Sequence, residues 1–181
     1  MRICIFGAAS SDIHPAFIRS AEAISRALAR EGHSLVFGGG CNGLMGAAAR
    51  GFAAENAEII GVIPHFLEDE GIEPVFSEKS RLIYTETMHE RKAKMEELAD
   101  AFLILPGGTG TLEEFFEVLT LKKLGRHEKR ILVFSQNGYY DPIRGMLERV
   151  VEEKFSDPGL LDCCRFCSSE EEILSEFKKE K

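Results

Sequence analysis

Short apolar runs alternate along this chain with segments whose hydrophobic residues recur at helical spacing. Residues 3–6 form one such run, closed by Gly7-Ala8-Ala9-Ser10-Ser11. Phe17, Ala21, Ile24 and Leu28 then follow a helix period, with Pro15 allowed in the first turn. Gly32 stops that helix, residues 34–37 give a second run, and Gly38-Gly39-Gly40 opens a small-residue helix carrying Leu44, Ala47, Ala48 and Phe52. A third run at 59–63 ends at Pro64. It leads into a stretch rich in Glu, Asp and Gly, residues 68–79, expected to be a mobile surface segment with no assigned element.

The second half repeats the scheme. Residues 81–84 predict a strand, and residues 87–99 a helix with Met88, Met95, Leu98 and Ala99 on one side. Residues 101–105 form a continuous apolar strand entering Pro106-Gly107-Gly108-Thr109-Gly110-Thr111, after which Leu112, Phe115, Phe116 and Leu119 fall at i, i+3, i+4 and i+7. A strand at 131–134, a turn at Asn137-Gly138, a helix from Pro142 to about Lys154, a short strand at 165–167 and a charged helix from near Ser169 complete the order. Non-alternating strands separated by helices predict parallel β-α units, hence one three-layer α/β domain over residues 1–181, with a mainly parallel central sheet and helices on both faces.

Composition narrows what such a domain can do. The 181 residues carry 22 Lys plus Arg against 30 Asp plus Glu, a formal charge of −8, with 44% hydrophobic and 29% charged residues. That supports a substantial core. A net negative chain without a Lys/Arg run argues against nucleic-acid and anionic-membrane partners, which need a concentrated positive field. No apolar stretch reaches the roughly 18 residues of a membrane span. Five cysteines, an odd number, follow no secretory leader, so the expected setting is a reducing cytoplasm.

Candidate chemistry lies in the loops after the strands, where open parallel sheets bind small ligands. Gly38-Gly39-Gly40-Cys41-Asn42-Gly43 satisfies G-x-G-x-x-G, but it follows the second strand, and Glu58 precedes its strand instead of ending it, so a nicotinamide cofactor is rejected. These glycines either contact a ligand or only permit positive φ and close packing. In the second loop Gly107, Gly108 and Gly110 clear the way to backbone amides, and Thr109 and Thr111 add hydroxyls. With no Lys after the last glycine it is not a Walker loop, and a monophosphate fits it better than a triphosphate.

Two charged residues stand out beside these loops. Arg91 shares the inward side of its helix with Met88 and Met95, so its guanidinium either meets a carboxylate or phosphate, or runs along the core edge to water. Lys92, one position round, reads as a solvated or phosphate-facing charge, and His89 as a hydrogen-bonded structural group. Glu114 allows two readings: the N3 partner of Thr111 in a capping box, or a carboxylate presented to the sugar of a bound nucleotide. Cys163, Cys164 and Cys167 fall short of a zinc tetrahedron and read as packing residues. The acidic positions Glu68, Asp69, Glu70 and Glu73 lack the spacing of a calcium loop and read as a solvated face.

The motifs from Pro106 to Glu114, Met88-His89-Glu90-Arg91-Lys92, and Gly38-Gly39-Gly40-x-x-Gly43-Leu44-Met45-Gly46 resemble those of the Lonely Guy family of cytokinin-nucleotide phosphoribohydrolases, long labelled lysine decarboxylases. The resemblance runs from residue 3 to about 151 and includes Gly138-Tyr139-Tyr140-Asp141. It implies a Rossmann-like fold, a homodimer with active sites near the subunit interface, no cofactor, and hydrolysis of N6-modified adenosine 5′-monophosphates to free base and ribose 5-phosphate. By motif position it implies Arg91 and Glu114 as the catalytic pair. Gly39, Gly40, Lys92, Gly107, Gly108, Thr109, Gly110, Thr111 and Glu113 become nucleotide contacts, with Thr120 and Glu70 weaker correspondences. The family's first loop carries Cys-Gly-Ser where this chain has Gly7-Ala8-Ala9, leaving Ser10 or Ser11 to serve instead. Lysine decarboxylation would need pyridoxal phosphate, for which no anchoring lysine is evident. The expected mechanism has the glycine loop hold the 5′-phosphate while Glu114, kept ionised by Arg91, orients a water onto C1′. The alternatives are a nucleotide-binding protein without catalysis and a Rossmann-like binder of single-stranded DNA.

Overall fold

A computed structural model describes residues 1–72 and 74–178, so Glu73 of the acidic segment and positions 179–181 lie outside the described residues. Seven strands form one sheet: β1 (Arg2–Phe6), β2 (Ser34–Phe37), β3 (Ile59–Pro64), β4 (Ser80–Thr85), β5 (Ala101–Ile104), β6 (Arg130–Phe134) and β7 (Arg165–Cys167). Their order is β4-β3-β2-β1-β5-β6-β7, and every neighbouring pair is parallel. The helices are α1 (Pro15–Arg30), α2 (Gly43–Ala54), α3 (His65–Asp69), α4 (Met88–Leu98), α5 (Thr109–Lys123), α6 (Asp141–Glu152) and α7 (Glu170–Phe177). Two short 3-10 turns, Gln136–Gly138 and Pro158–Cys163, lead into α6 and β7.

Successive strand side chains point to opposite faces, so the run Ile3-Cys4-Ile5-Phe6 feeds two cores. Ile3 and Ile5 pack with Ile24, Leu28 and Phe52 of α1 and α2, and with Ile173 of α7. Cys4 and Phe6 pack with Met95, Phe115, Val118 and Leu147 of α4, α5 and α6. This is the three-layer α/β arrangement expected from non-alternating strands.

Helix starts follow the sequence in two places and depart from it in a third. Thr87 caps α4 by accepting Glu90 N–H at 3.1 Å, while the Glu90 carboxylate accepts Glu86 N–H at 2.9 Å. Ser169 and Glu172 repeat the device at α7. By contrast, α5 begins at Thr109 behind an extended Gly108, with no side-chain cap. Thr111 is therefore the third residue inside the helix, and the capping-box reading of Thr111 with Glu114 does not hold.

The segment expected to be mobile begins in the last turn of α3 and contains a clasp. Pro74 O accepts Cys41 N–H and Gly39 O accepts Phe76 N–H, both at 2.8 Å, on either side of an antiparallel bridge between Gly40 and Val75. Phe76 is buried edge-on against Phe37. An aromatic anchor and backbone bonds thus override the polar composition of residues 68–79.

The loop after β1 lies across the start of α2. Gly43 has φ +54°, and a Cβ there would fall 2.4 Å from Ala8 O and 2.5 Å from Ser10 O, while Leu44 N–H donates to Ala8 O at 2.8 Å. Strained φ and backbone overlap act together, so Gly43→Ala is expected to cost about 2 kcal/mol or more. Urea unfolding of the variant against the parent measures it; an unchanged midpoint would contradict the packing.

Candidate functional site

The sheet changes winding direction between β1 and β5, which are hydrogen-bonded neighbours but lead to helices on opposite faces. Such a switch point leaves a crevice at the carboxyl ends of the strands. Here it holds a cleft of about 360 Å³. One wall is the loop after β1, including Ala8 and Ser10; the opposite wall is Gly108, Thr109, Gly110 and Thr111 with Glu113 and Glu114. Gly38, Arg91 and the thioethers of Met45, Met88 and Met95 complete it.

The first amides of α5 have no acceptor within the helix and carry the positive end of its dipole. A Cβ added at Gly108 or Gly110 would meet nothing within 4 Å, so the backbone is open to an approaching ligand at both. Glu114 sits in the second turn from that start and also lines the cleft.

Arg91 reaches the cleft from α4. Its Nε donates to Val62 O at 3.2 Å and its Nη1 contacts Met88 Sδ at 3.8 Å. The guanidinium therefore turns into the cleft, where the side chain is half-buried. Gly38 makes room for it, because a Cβ at that position would lie 1.7 Å from Arg91 Nη2. Cys4 lies in the strand layer behind the cleft: burial pushes its thiol well up, the Glu114 carboxylate pushes it further, and the Arg91 guanidinium opposes. The fields of both charged groups thus reach one point in the central strand.

Lys92 is not the solvated charge its position suggested. It is buried and bonded to Glu113 and, at 2.7 Å, to Glu117. Burial pulls the ammonium pKa down, but the two carboxylates outweigh it and leave the value raised. Burial together with Glu117 raises the nearby Glu96. The ion pairs tie α4 to α5, and Lys92 does not line the cleft, although Glu113 does.

The remaining sequence candidates divide. Gly39 and Gly40 lie outside the cleft lining and form the clasp with residues 74–76. Gly107 also lies outside the lining, packed against Thr111. Thr120 is exposed about three turns along α5. Glu70 is exposed after α3, and His89 is exposed on α4. Of the two first-loop serines, Ser10 lines the cleft and Ser11 does not.

Cys163 and Cys167 are buried free thiols, and burial pushes Cys164 up to about 12 and Cys167 up to about 11, as packing side chains. Among the described residues no group of three His, Cys, Asp or Glu is placed to hold a metal ion. Gly38 and Met45 lie in the motifs the sequence singled out, but neither was among the expected site residues. The usable signal was a glycine ending β2 opposite an inward arginine.

The parallel sheet and its reversal between β1 and β5 define a Rossmann-like α/β protein. A family model described as "Possible lysine decarboxylase" matches residues 45–177, and the chain belongs to that family. It is 42% identical over 139 residues to the cytokinin riboside 5′-monophosphate phosphoribohydrolase of Rhodococcoides fascians, covering 77% of this chain and 70% of that protein. It is 37% identical over 156 residues to the cytokinin riboside 5′-monophosphate phosphoribohydrolase LOG of Oryza sativa subsp. japonica, covering 85% of this chain and 63% of the rice protein's length. These names describe a nucleotide N-glycosyl hydrolase. In fold alone, the chain is similar to the molybdenum cofactor binding protein of Rippkaea orientalis, with TM-score 0.73, 18% identity, and 98% and 94% of the two chains covered. The decarboxylase description does not suit the cleft: none of its lining residues is a lysine that could hold pyridoxal phosphate as a Schiff base.

Replacing Gly38 by Ala should expel the Arg91 guanidinium while leaving the fold intact, since the clash is with the far end of a flexible side chain. The expected outcome is a stability loss under about 1.5 kcal/mol, the scale of one hydrogen bond. A structure of the variant should show the Arg91–Val62 contact broken; an unmoved Arg91 would contradict the role given to Gly38.

Proposed function

We propose that this chain hydrolyses the N-glycosidic bond of adenosine 5′-monophosphates, N6-modified ones included, to the free base and ribose 5-phosphate. The observation that carries the reading is that Arg91, Glu114 and the open start of α5 line one cleft. Its volume of about 360 Å³ falls within the range of small-molecule pockets. The names of the relatives give the reaction class.

In this reading the amides at Gly108 to Thr111 and the threonine hydroxyls hold the 5′-phosphate. The sugar then extends toward Glu114, a turn further along the same helix. As the base departs, C1′ gains positive charge, which the carboxylate offsets while it takes a proton from the attacking water. Water oxygen bonds to C1′, the electron pair of the broken bond leaves with the base nitrogen, and the base takes up a proton from solvent while Glu114 returns its own to solvent. Arg91, held by Val62 O and seated on Gly38, fixes the carboxylate or the nucleotide. The methionines offer a soft apolar wall suited to a purine face. A homodimer with its active sites near the subunit interface belongs to the same proposal, and light scattering should give twice 20.1 kDa.

Incubation with AMP and with N6-substituted AMPs, followed by assay of the released base, separates hydrolysis from mere binding. Glu114→Gln should keep AMP affinity within about threefold yet lower turnover by about a hundredfold or more. Turnover near the parent's would remove Glu114 from the chemistry, and base release from no nucleotide would leave a binding protein.

A further inference from the structure

Three successive carbonyls of the turn between β5 and α5 are each held by a donor. Leu105 O accepts from Tyr140 OH at 2.8 Å, Pro106 O from Ala8 N–H at 3.1 Å, and Gly107 O from Tyr139 OH at 2.8 Å. A trans peptide carries its C=O and the following N–H on opposite edges. Gripping Gly107 O therefore also sets the direction of Gly108 N–H, away from Tyr139.

Two cavities flank this peptide. Gly108 lines both the cleft and a smaller cavity of about 150 Å³. Gly107, Tyr139 and Phe17 line only the smaller one. Tyr139 is held there by edge-on contacts with Phe17 at 6.2 Å and Tyr140 at 4.9 Å between ring centres. Tyr140 is anchored in turn: its N–H donates to Ser135 Oγ, and Ser135 Oγ donates to Asp141 Oδ1, each at 2.9 Å. Burial pushes the Tyr140 phenol well above its ordinary pKa, so it stays a donor near neutral pH. The chain 135–141 is thus a brace behind the loop, and Tyr139 is its tip.

We propose that Tyr139 is a positioning residue of the candidate site: by holding the Gly107 carbonyl from the smaller cavity, its hydroxyl keeps Gly108 N–H turned to the cleft, where a phosphate oxygen accepts it. The proposal rests on the reading that a nucleotide phosphate binds at this turn. Tyr139 does not line the cleft and acts through the peptide it holds.

Tyr139→Phe tests it, because the ring contacts survive and only the hydroxyl is lost. AMP binding by calorimetry should weaken about threefold to tenfold, the effect of one hydrogen bond, and KM should rise more than kcat falls. Backbone 15N order parameters should drop at Gly107 and Gly108 while later turns of α5 and the melting temperature hold. Parent-like order parameters and AMP affinity would overturn the proposal, as would a uniform loss of order with a lowered melting temperature. A parent protein that takes up no AMP would instead sink the phosphate reading, and the order parameters alone would then decide whether Tyr139 fixes the turn.

Discussion

Two neighbouring strands that part company are the constraint on which the rest of the structure depends. β1 and β5 share a ladder of hydrogen bonds, continued by Leu105 N–H to Phe6 O and Ala8 N–H to Pro106 O. Beyond those bonds one chain turns toward α1 and the other toward α5, on opposite faces. The opening between them needs no specialised pocket-forming element. It follows from strand order, and sequence only has to furnish its edges.

The edges are furnished by an economical division of roles. In the first glycine loop, Gly43 lets α2 pass under the loop after β1, and Gly38 gives Arg91 its seat. Arg91 is followed by Lys92, and Glu114 is preceded by Glu113; the bond between Lys92 and Glu113 therefore yokes the two helices immediately beside the two proposed reactive groups. The same ammonium bonds Glu117, one turn further along α5, at 2.7 Å. The two helices that carry Arg91 and Glu114 are thus linked by a mostly buried ammonium that does not itself line the cleft.

All seven strands were legible in the sequence as short runs bounded by glycine, proline or charge; the five inner ones are buried on both faces and carry no polar alternation to confuse the pattern, whereas the edge strands β4 and β7 are only partly buried. The glycine loop at 106–111 was legible as an open backbone for the same local reason. What escaped was non-local. A helical pattern shows that Lys92 lies near the inward face of α4, but not that Glu113 and Glu117, four apart on α5, converge on it. Local rules favoured Thr111 at the helix cap, whereas α5 starts two residues earlier, behind an extended Gly108 and a turn whose carbonyls at 105–107 are each held by a distant donor. The polar composition of residues 68–79 concealed the clasp, whose backbone bonds leave no mark on side-chain pattern.

That clasp divides the connection between β3 and β4 into two parts with different freedom. From Pro74 to Phe76 the strand-like piece is stitched to the backbone of the first glycine loop, within three residues of the seat of Arg91. Ahead of it, Gly71 stands at positive φ, and a Cβ there would meet no described residue within 4 Å. Insertions at Gly71 are therefore expected to leave the clasp in place, whereas changes at Pro74 to Phe76 would tug on the floor that carries the arginine.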